Sequence, residues 1–193
     1  MMSISKDASE GMIRLFIAVE LPSYIKEEVI RLQKNLMDKR VLVGNYPKFD
    51  AMHLTLKFIG DVERNKISLI QQALRSVESM RMHARISSLM FFGNFRFPKV
   101  VYVALDCPEL QALVGAIDNN LKKLCVPEER EFKPHVTITR VKEMIDYQTF
   151  VDWIENTRVE PLSFDIESFM LMQSKLNSSG PIYIPIERYI FKS

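Results

Sequence analysis

Two of the chain's three histidines head the same four-residue pattern: His53-Leu54-Thr55-Leu56 and His135-Val136-Thr137-Ile138. Each reads histidine, apolar, threonine, apolar. Side chains alternate faces along a strand, so each pattern places its histidine and threonine on one face and its apolar pair on the other. With average residue usage a histidine is followed by apolar-Thr-apolar roughly 1 time in 100, so two matches among three histidines is on the order of 1 in several thousand. The repetition extends further. Leu15 to Pro22 aligns with Val101 to Pro108, and both are apolar strands that end in an acidic residue and soon reach a proline. A helical stretch follows each, then one His-x-Thr motif, and the spacing between the strands nearly equals that between the motifs. A chain made of two copies of one unit is constrained to bring two equivalent faces together.

The rest of the sequence fills in each copy. Ile13 to Glu20 reads as a buried strand, and Pro22 opens a helix carried by Ile25, Val29, Leu32 and Leu36. Gly44 falls in the loop beyond. His53 to Ile59 reads as a strand closed by Gly60-Asp61, and Ile67, Ile70, Leu74 and Val77 mark a second helix. Ala84 to Phe92 is a strand, Gly93 to Pro98 a loop, and Val100 to Leu105 the strand that echoes the first. Leu110, Leu113, Val114, Ile117, Leu121 and Leu124 give an amphipathic helix. Val126 to Arg130 is a charged loop. His135 to Val141 is the second motif strand, and Tyr147 to Ile154 a shorter helix. Ser163 to Met172 and Ile182 to Ile190 are strands around the turn Asn177 to Pro181. Strands and helices alternate, with adjacent strand pairs as well, which predicts an α+β fold rather than a doubly wound one.

Composition narrows the function. The chain has 193 residues and a net charge of +2, too little excess of Lys and Arg for an extended nucleic-acid-coating surface. A small anionic ligand remains compatible. Cys107 and Cys125 flank a helix without metal-ligand spacing and read as free thiols of a reducing compartment. No stretch is long and apolar enough to cross a membrane. Met1 to Gly11 is polar, lacks the apolar core of a signal peptide, and reads with Met12 as a flexible extension, residues 1–12. The expected location is the cytoplasm. No glycine-rich nucleotide loop occurs, so no nucleotide cofactor is implied.

Imidazole titrates nearest neutrality of all side chains, so one neutral histidine can accept a proton while a protonated one donates. Phosphodiester cleavage needs both acts at one phosphorus. A threonine sharing its histidine's face can donate to a non-bridging phosphate oxygen. Two histidines are too few for a zinc site, and His83, outside any such motif, reads as a surface or packing residue. No metal is therefore predicted. Phe95 and Phe97, which flank Arg96, and Tyr46 could stack a base, though core packing is the usual fate of such residues.

These residues resemble the 2H phosphoesterase superfamily, which is named for two His-x-Ser/Thr motifs in a duplicated fold. The chain looks most like the branch of RNA 2′,3′-cyclic phosphodiesterases, also called 2′-5′ RNA ligases. Both motifs carry the resemblance, with Arg14 to Pro22, Lys57 to Gly60, Phe132 to Pro134, Phe169 to Ser174 and Gly180 to Tyr183. The resemblance implies a bilobal, pseudo-twofold fold with antiparallel sheets flanked by helices and a central cleft. Residues 13–193 would form this one bilobal domain. It implies metal-independent, cofactor-free hydrolysis of RNA 2′,3′-cyclic phosphate to 2′-phosphate, with reversible 2′-5′ ligation as a related transfer. His53 and His135 would be catalytic, and Thr55, Thr137 and Arg140 would hold the phosphate. Simple alternation puts Arg140 on the face opposite His135, so the strand must twist or bulge, or the side chain must reach round its end. The partners would be RNA ends or small nucleotide cyclic phosphates, met by a monomer, since the repeat already completes the site. Alternative readings are a non-catalytic RNA- or nucleotide-binding module, and a phosphodiesterase for another small cyclic phosphate or a 2′-5′ oligonucleotide.

Overall fold

In the computed structural model, which describes residues 11–94, 96–125, 131–177 and 180–192, two antiparallel sheets carry the chain's strands. The expected loop Val126 to Arg130, most of the polar N-terminal extension, Phe95, and Ser178-Ser179 lie outside the described residues. The strands are β1 (Met12–Glu20), β2 (Leu42–Asn45), β3 (His53–Glu63), β4 (Met82–Asn94), β5 (Phe97–Asp106), β6 (His135–Met144), β7 (Ser163–Ile166), β8 (Ser168–Asn177) and β9 (Gly180–Ile190). The helices are α1 (Ser23–Lys39), α2 (Ile67–Arg75), α3 (Glu109–Leu121) and α4 (Tyr147–Asn156). The fold is α+β, as the alternation of elements predicts.

The first sheet runs β3-β1-β8-β9 and the second β2-β6-β5-β4-β7. The duplicated strands take equivalent places: β1 lies between β3 and β8, and β5 between β6 and β4. Each motif strand thus pairs with the apolar strand that opens its own repeat. The outer strands are exchanged. β2 and β4, from the first half of the chain, sit in the second sheet, while β8 and β9, from the second half, sit in the first. Exchange explains why one continuous apolar cluster, including Leu15, Leu54, Val103, Ile138 and Leu171, spans both sheets. Separating the halves would expose that cluster and break four strand pairings of the exchanged strands, β2·β6, β4·β5, β1·β8 and β4·β7.

Several boundaries differ from the pattern reading, each for a local reason. The first strand begins at Met12, inside the expected extension. Pro22 is the residue capping α1 rather than the first within it. Gly44 lies in β2, not in a loop, and its lack of a Cβ leaves room for the Thr139 Oγ1 on the neighbouring strand. The strand Ser163 to Met172 is two: the chain leaves the second sheet at Ile166 and enters the first at Ser168, with Glu167 between them. Gly60-Asp61 does not close β3. Gly60 takes a φ of +88° within the strand, which continues to Glu63. Gly93 lies at φ +104° beside the Phe97 carbonyl, and much of the expected loop is strand, since β4 runs to Asn94 and β5 begins at Phe97. Among the described residues no helix is long and apolar enough to cross a membrane. Cys107 and Cys125 are both free thiols.

Candidate active site

The two motif strands deliver their histidines in the same way. His53 lies opposite Glu20 on β1 and His135 opposite Ala104 on β5, each as the first residue of its strand. Each imidazole Nδ1 donates to the backbone carbonyl two residues earlier: His53 to Ala51 at 2.8 Å, His135 to Lys133 at 2.7 Å. A carbonyl only accepts, so Nδ1 must carry the proton in both rings, and Nε2 is left for chemistry. Thr55 and Thr137 share the half-exposed face with their histidines, while Leu54, Leu56, Val136 and Ile138 turn into the core.

Aromatic rings pack against both imidazoles. His53 meets Tyr183 edge-on at 4.9 Å between centroids and Phe16 at 5.0 Å. His135 meets Phe92 edge-on at 5.0 Å and Tyr102 at 5.1 Å. Phe16 and Tyr102 are equivalent positions of the repeat, one on β1 and one on β5. Packing of this kind strips water from the rings and disfavours the imidazolium form. Burial therefore drives the His53 pKa down to about 4, against the opposing pull of its bond to Ala51, with Arg140, His135 and Lys26 adding repulsion. Burial also lowers the His135 pKa, with Arg140 adding to the effect and the bond to Lys133 opposing it. Burial thus favours the neutral form of both rings.

Alternation fails at a defined point in each motif strand. Tyr102 pairs with Thr137 but Val101 pairs with Thr139, so Ile138 is one residue too many for its partner strand. This β-bulge turns Thr139 into the core and Arg140 back onto the face of His135 and Thr137. The same event occurs in β3, where Ala18 pairs with Thr55 and Ile17 with Lys57, leaving Leu56 as the extra residue. Lys57 is thereby buried, at 3% exposure, and Phe58 emerges onto the outer face. Arg140 and Phe58 are thus equivalent positions with opposite chemistry, one cationic and one aromatic.

A cavity of about 580 Å³ opens where the two faces meet. His53, Thr55, His135, Thr137 and Arg140 all line it. Arg140 forms no ion pair among the described residues, and its charge is felt at His53, His135 and Tyr183. Tyr183 and Phe58 also line the cavity and were not singled out by the sequence reading, although both stand in stretches that carry the family resemblance. The bulge hides Phe58 from simple alternation, and the contact of β9 with the motif face is a matter of tertiary packing. His83 is on the surface, with its Nδ1 2.9 Å from Asp165. Tyr46 packs against the core rather than lining the cavity, and Phe97 is exposed outside it. Among the described residues no three His, Cys, Asp or Glu side chains converge as a metal site requires.

Comparison with known proteins gives a consistent result. The profile of the 2′-5′ RNA ligase superfamily matches residues 22–177. A protein of Methanothermobacter thermautotrophicus named RNA 2′,3′-cyclic phosphodiesterase is 30% identical, over 91% of this chain and 97% of its own length. One of the same name from Methanocaldococcus jannaschii is 29% identical over 92% of this chain and all of its own. Among solved structures, one of a Thermus thermophilus protein superposes with a TM-score of 0.77 at 22% identity, covering 93% of this chain and 98% of the other. Escherichia coli LigT complexed with 3′-AMP superposes with a TM-score of 0.74 at 21% identity, covering 94% and 99%.

Proposed function

The chain belongs to the 2′-5′ RNA ligase superfamily, and on that premise we propose that it hydrolyses RNA 2′,3′-cyclic phosphate ends to 2′-phosphates, without a metal, as a monomer. The observation that carries this reading is the convergence on one cavity of two imidazoles with identically tied Nδ1 atoms and a bulge-turned arginine. The name these relatives share, RNA 2′,3′-cyclic phosphodiesterase, supports the substrate class.

In this reading the two imidazoles divide the proton transfers. Nε2 of His135 takes a proton from water as the water oxygen bonds to phosphorus. The P–O3′ bond breaks, and the proton on Nε2 of His53 passes to the leaving O3′. The products are a 2′-phosphate and a free 3′ hydroxyl. Thr55 and Thr137 donate to the non-bridging oxygens, and Arg140 meets the same oxygens with two N–H donors. Replacing water by a ribose hydroxyl turns the same transfer into 2′-5′ ligation. Phe58, about half exposed in the cavity, offers a face for the base.

The test is turnover of an oligonucleotide ending in 2′,3′-cyclic phosphate in excess EDTA, beside ADP-ribose 1″,2″-cyclic phosphate. Faster opening of the RNA end supports the reading. Preferential turnover of the small cyclic phosphate moves the activity to another substrate, and binding without turnover to a binding module.

The depressed histidine pKa values give a pH signature. The acid must be protonated in the free enzyme, and above its pKa the protonated fraction falls tenfold per pH unit. Because both pKa values lie below the usual 6.5, kcat/KM is expected to peak on the acid side of neutrality and to decline through pH 7. The anionic phosphate favours the imidazolium form, so kcat in the complex should hold to higher pH than kcat/KM. A kcat/KM profile flat from pH 5 to 9, or peaking above pH 8, would contradict these environments.

A further inference from the structure

The bulge that aims Arg140 is a β6 feature, but the groups that hold it come from the other half of the chain. An inserted residue leaves ladder groups without their strand partner. Here the Ile138 carbonyl accepts from the Gln33 Nε2 of α1 at 3.0 Å, and the same amide donates to the Pro47 carbonyl at 3.0 Å. Gln33 is only 5% exposed, an unusual place for a glutamine in an amphipathic helix. Next along β6, Thr139 Oγ1 donates to the Asn45 carbonyl of β2 at 3.2 Å, and the bare α-carbon of Gly44 makes room for that hydroxyl. The equivalent bulge in β3 has no such amide among the described residues. It is held from α3, where Asp118 lies 2.6 Å from Lys57, and the residue it presents is Phe58. The two halves therefore brace each other's motif strand, and the amide brace belongs to the strand that presents the cation.

We infer that Gln33 is a positioning residue for phosphate recognition: by fixing the β6 bulge through the Ile138 carbonyl, it sets the aim of Arg140 into the cleft. The inference rests on the reading of Arg140 as the phosphate contact. A glutamine acting only on stability would cost folding free energy without depending on what stands at position 140. A positioning glutamine depends on it entirely.

The experiment is a double-mutant cycle on the full chain, with 2′,3′-cyclic AMP as substrate and thermal unfolding measured alongside. Gln33→Met keeps length and apolar bulk while removing both donors. Arg140→Ala is expected to lower kcat/KM by about 30-fold, the usual worth of a hydrogen-bonded charge. Gln33→Met is expected to lower it by about 10-fold when Arg140 is present, mainly through KM, and by less than about 2-fold in the Arg140→Ala background. Equal losses in both backgrounds, or no loss with Arg140 present, would overturn the role of Gln33. If Arg140→Ala itself retains full kcat/KM, the phosphate reading of Arg140 fails first and the positioning role falls with it. Should Gln33→Met not fold, Gln33→Leu, which also removes the amide that donates to the Ile138 carbonyl, goes through the same cycle with the same outcomes.

Discussion

Replacing His53 or His135 by alanine is expected to lower hydrolysis of 2′,3′-cyclic AMP by about 100-fold to 10,000-fold while leaving the fold intact. The size follows from the chemistry. Water is a poor nucleophile until it loses a proton, and an alkoxide is a poor leaving group until it gains one. In the proposed mechanism each imidazole supplies one of these transfers. The fold should survive because both rings lie on the cavity face and each gives up one bond to an adjacent backbone carbonyl. The losses should not multiply in the double variant, since neither proton transfer helps much without the other. Steady-state rates of the two single variants and the double variant, with circular dichroism to confirm folding, make the check. A single alanine variant that keeps most of its activity removes that histidine from the mechanism.

The second large effect is on stability. Lys57 is 3% exposed and its ammonium lies 2.6 Å from the Asp118 carboxylate, whose side chain is 45% exposed. Neither Lys57 Nζ nor Asp118 Oδ1 has a hydrogen-bond partner among the described residues, so the ion pair alone balances the buried charge. Asp118→Ala strands a buried cation. Removing one partner of a fully buried pair costs about 3–5 kcal/mol, and the half-exposed carboxylate reduces that to about 2–3 kcal/mol. Lys57→Met added to Asp118→Ala should recover most of the loss, since an apolar side chain of similar length suits the site left by the ammonium. Urea unfolding of the two variants measures both terms. A nearly wild-type Asp118→Ala, or a double variant no more stable than the single, would show that the pair does not hold α3 to β3.

Much of the site was legible because β-structure has a period of two. His53 with Thr55, and His135 with Thr137, share a face for any sequence that makes a strand there. The repeat of Leu15 to Pro22 as Val101 to Pro108 implies that the two faces are equivalent. Legibility ends at the bulges. Whether Ile138 is an extra residue depends on its pairing with β5, which no local pattern encodes, and the face of Arg140 depends on it. The sequence reading could say only that a bulge, a twist or a reaching side chain was required. Phe58 was missed for the same reason. β2 was missed because its four residues include Gly44, a loop signal whose actual cause is Thr139 on the next strand. The exchange of β2 and β4 with β8 and β9 between sheets follows from tertiary packing, and the single-residue crossover at Glu167 is invisible in a continuous strand-like run.

The most direct test of the two-histidine mechanism is the position of the phosphate in the product. 2′,3′-cyclic AMP is incubated with the protein in excess EDTA and followed by ³¹P nuclear magnetic resonance. In the proposed mechanism the proton donor serves O3′ and no metal takes part, so the expected result is a single monoester signal, that of 2′-AMP. Formation of 3′-AMP would place the leaving oxygen on the other side of the phosphorus, and loss of activity on chelation would contradict the two-histidine mechanism itself.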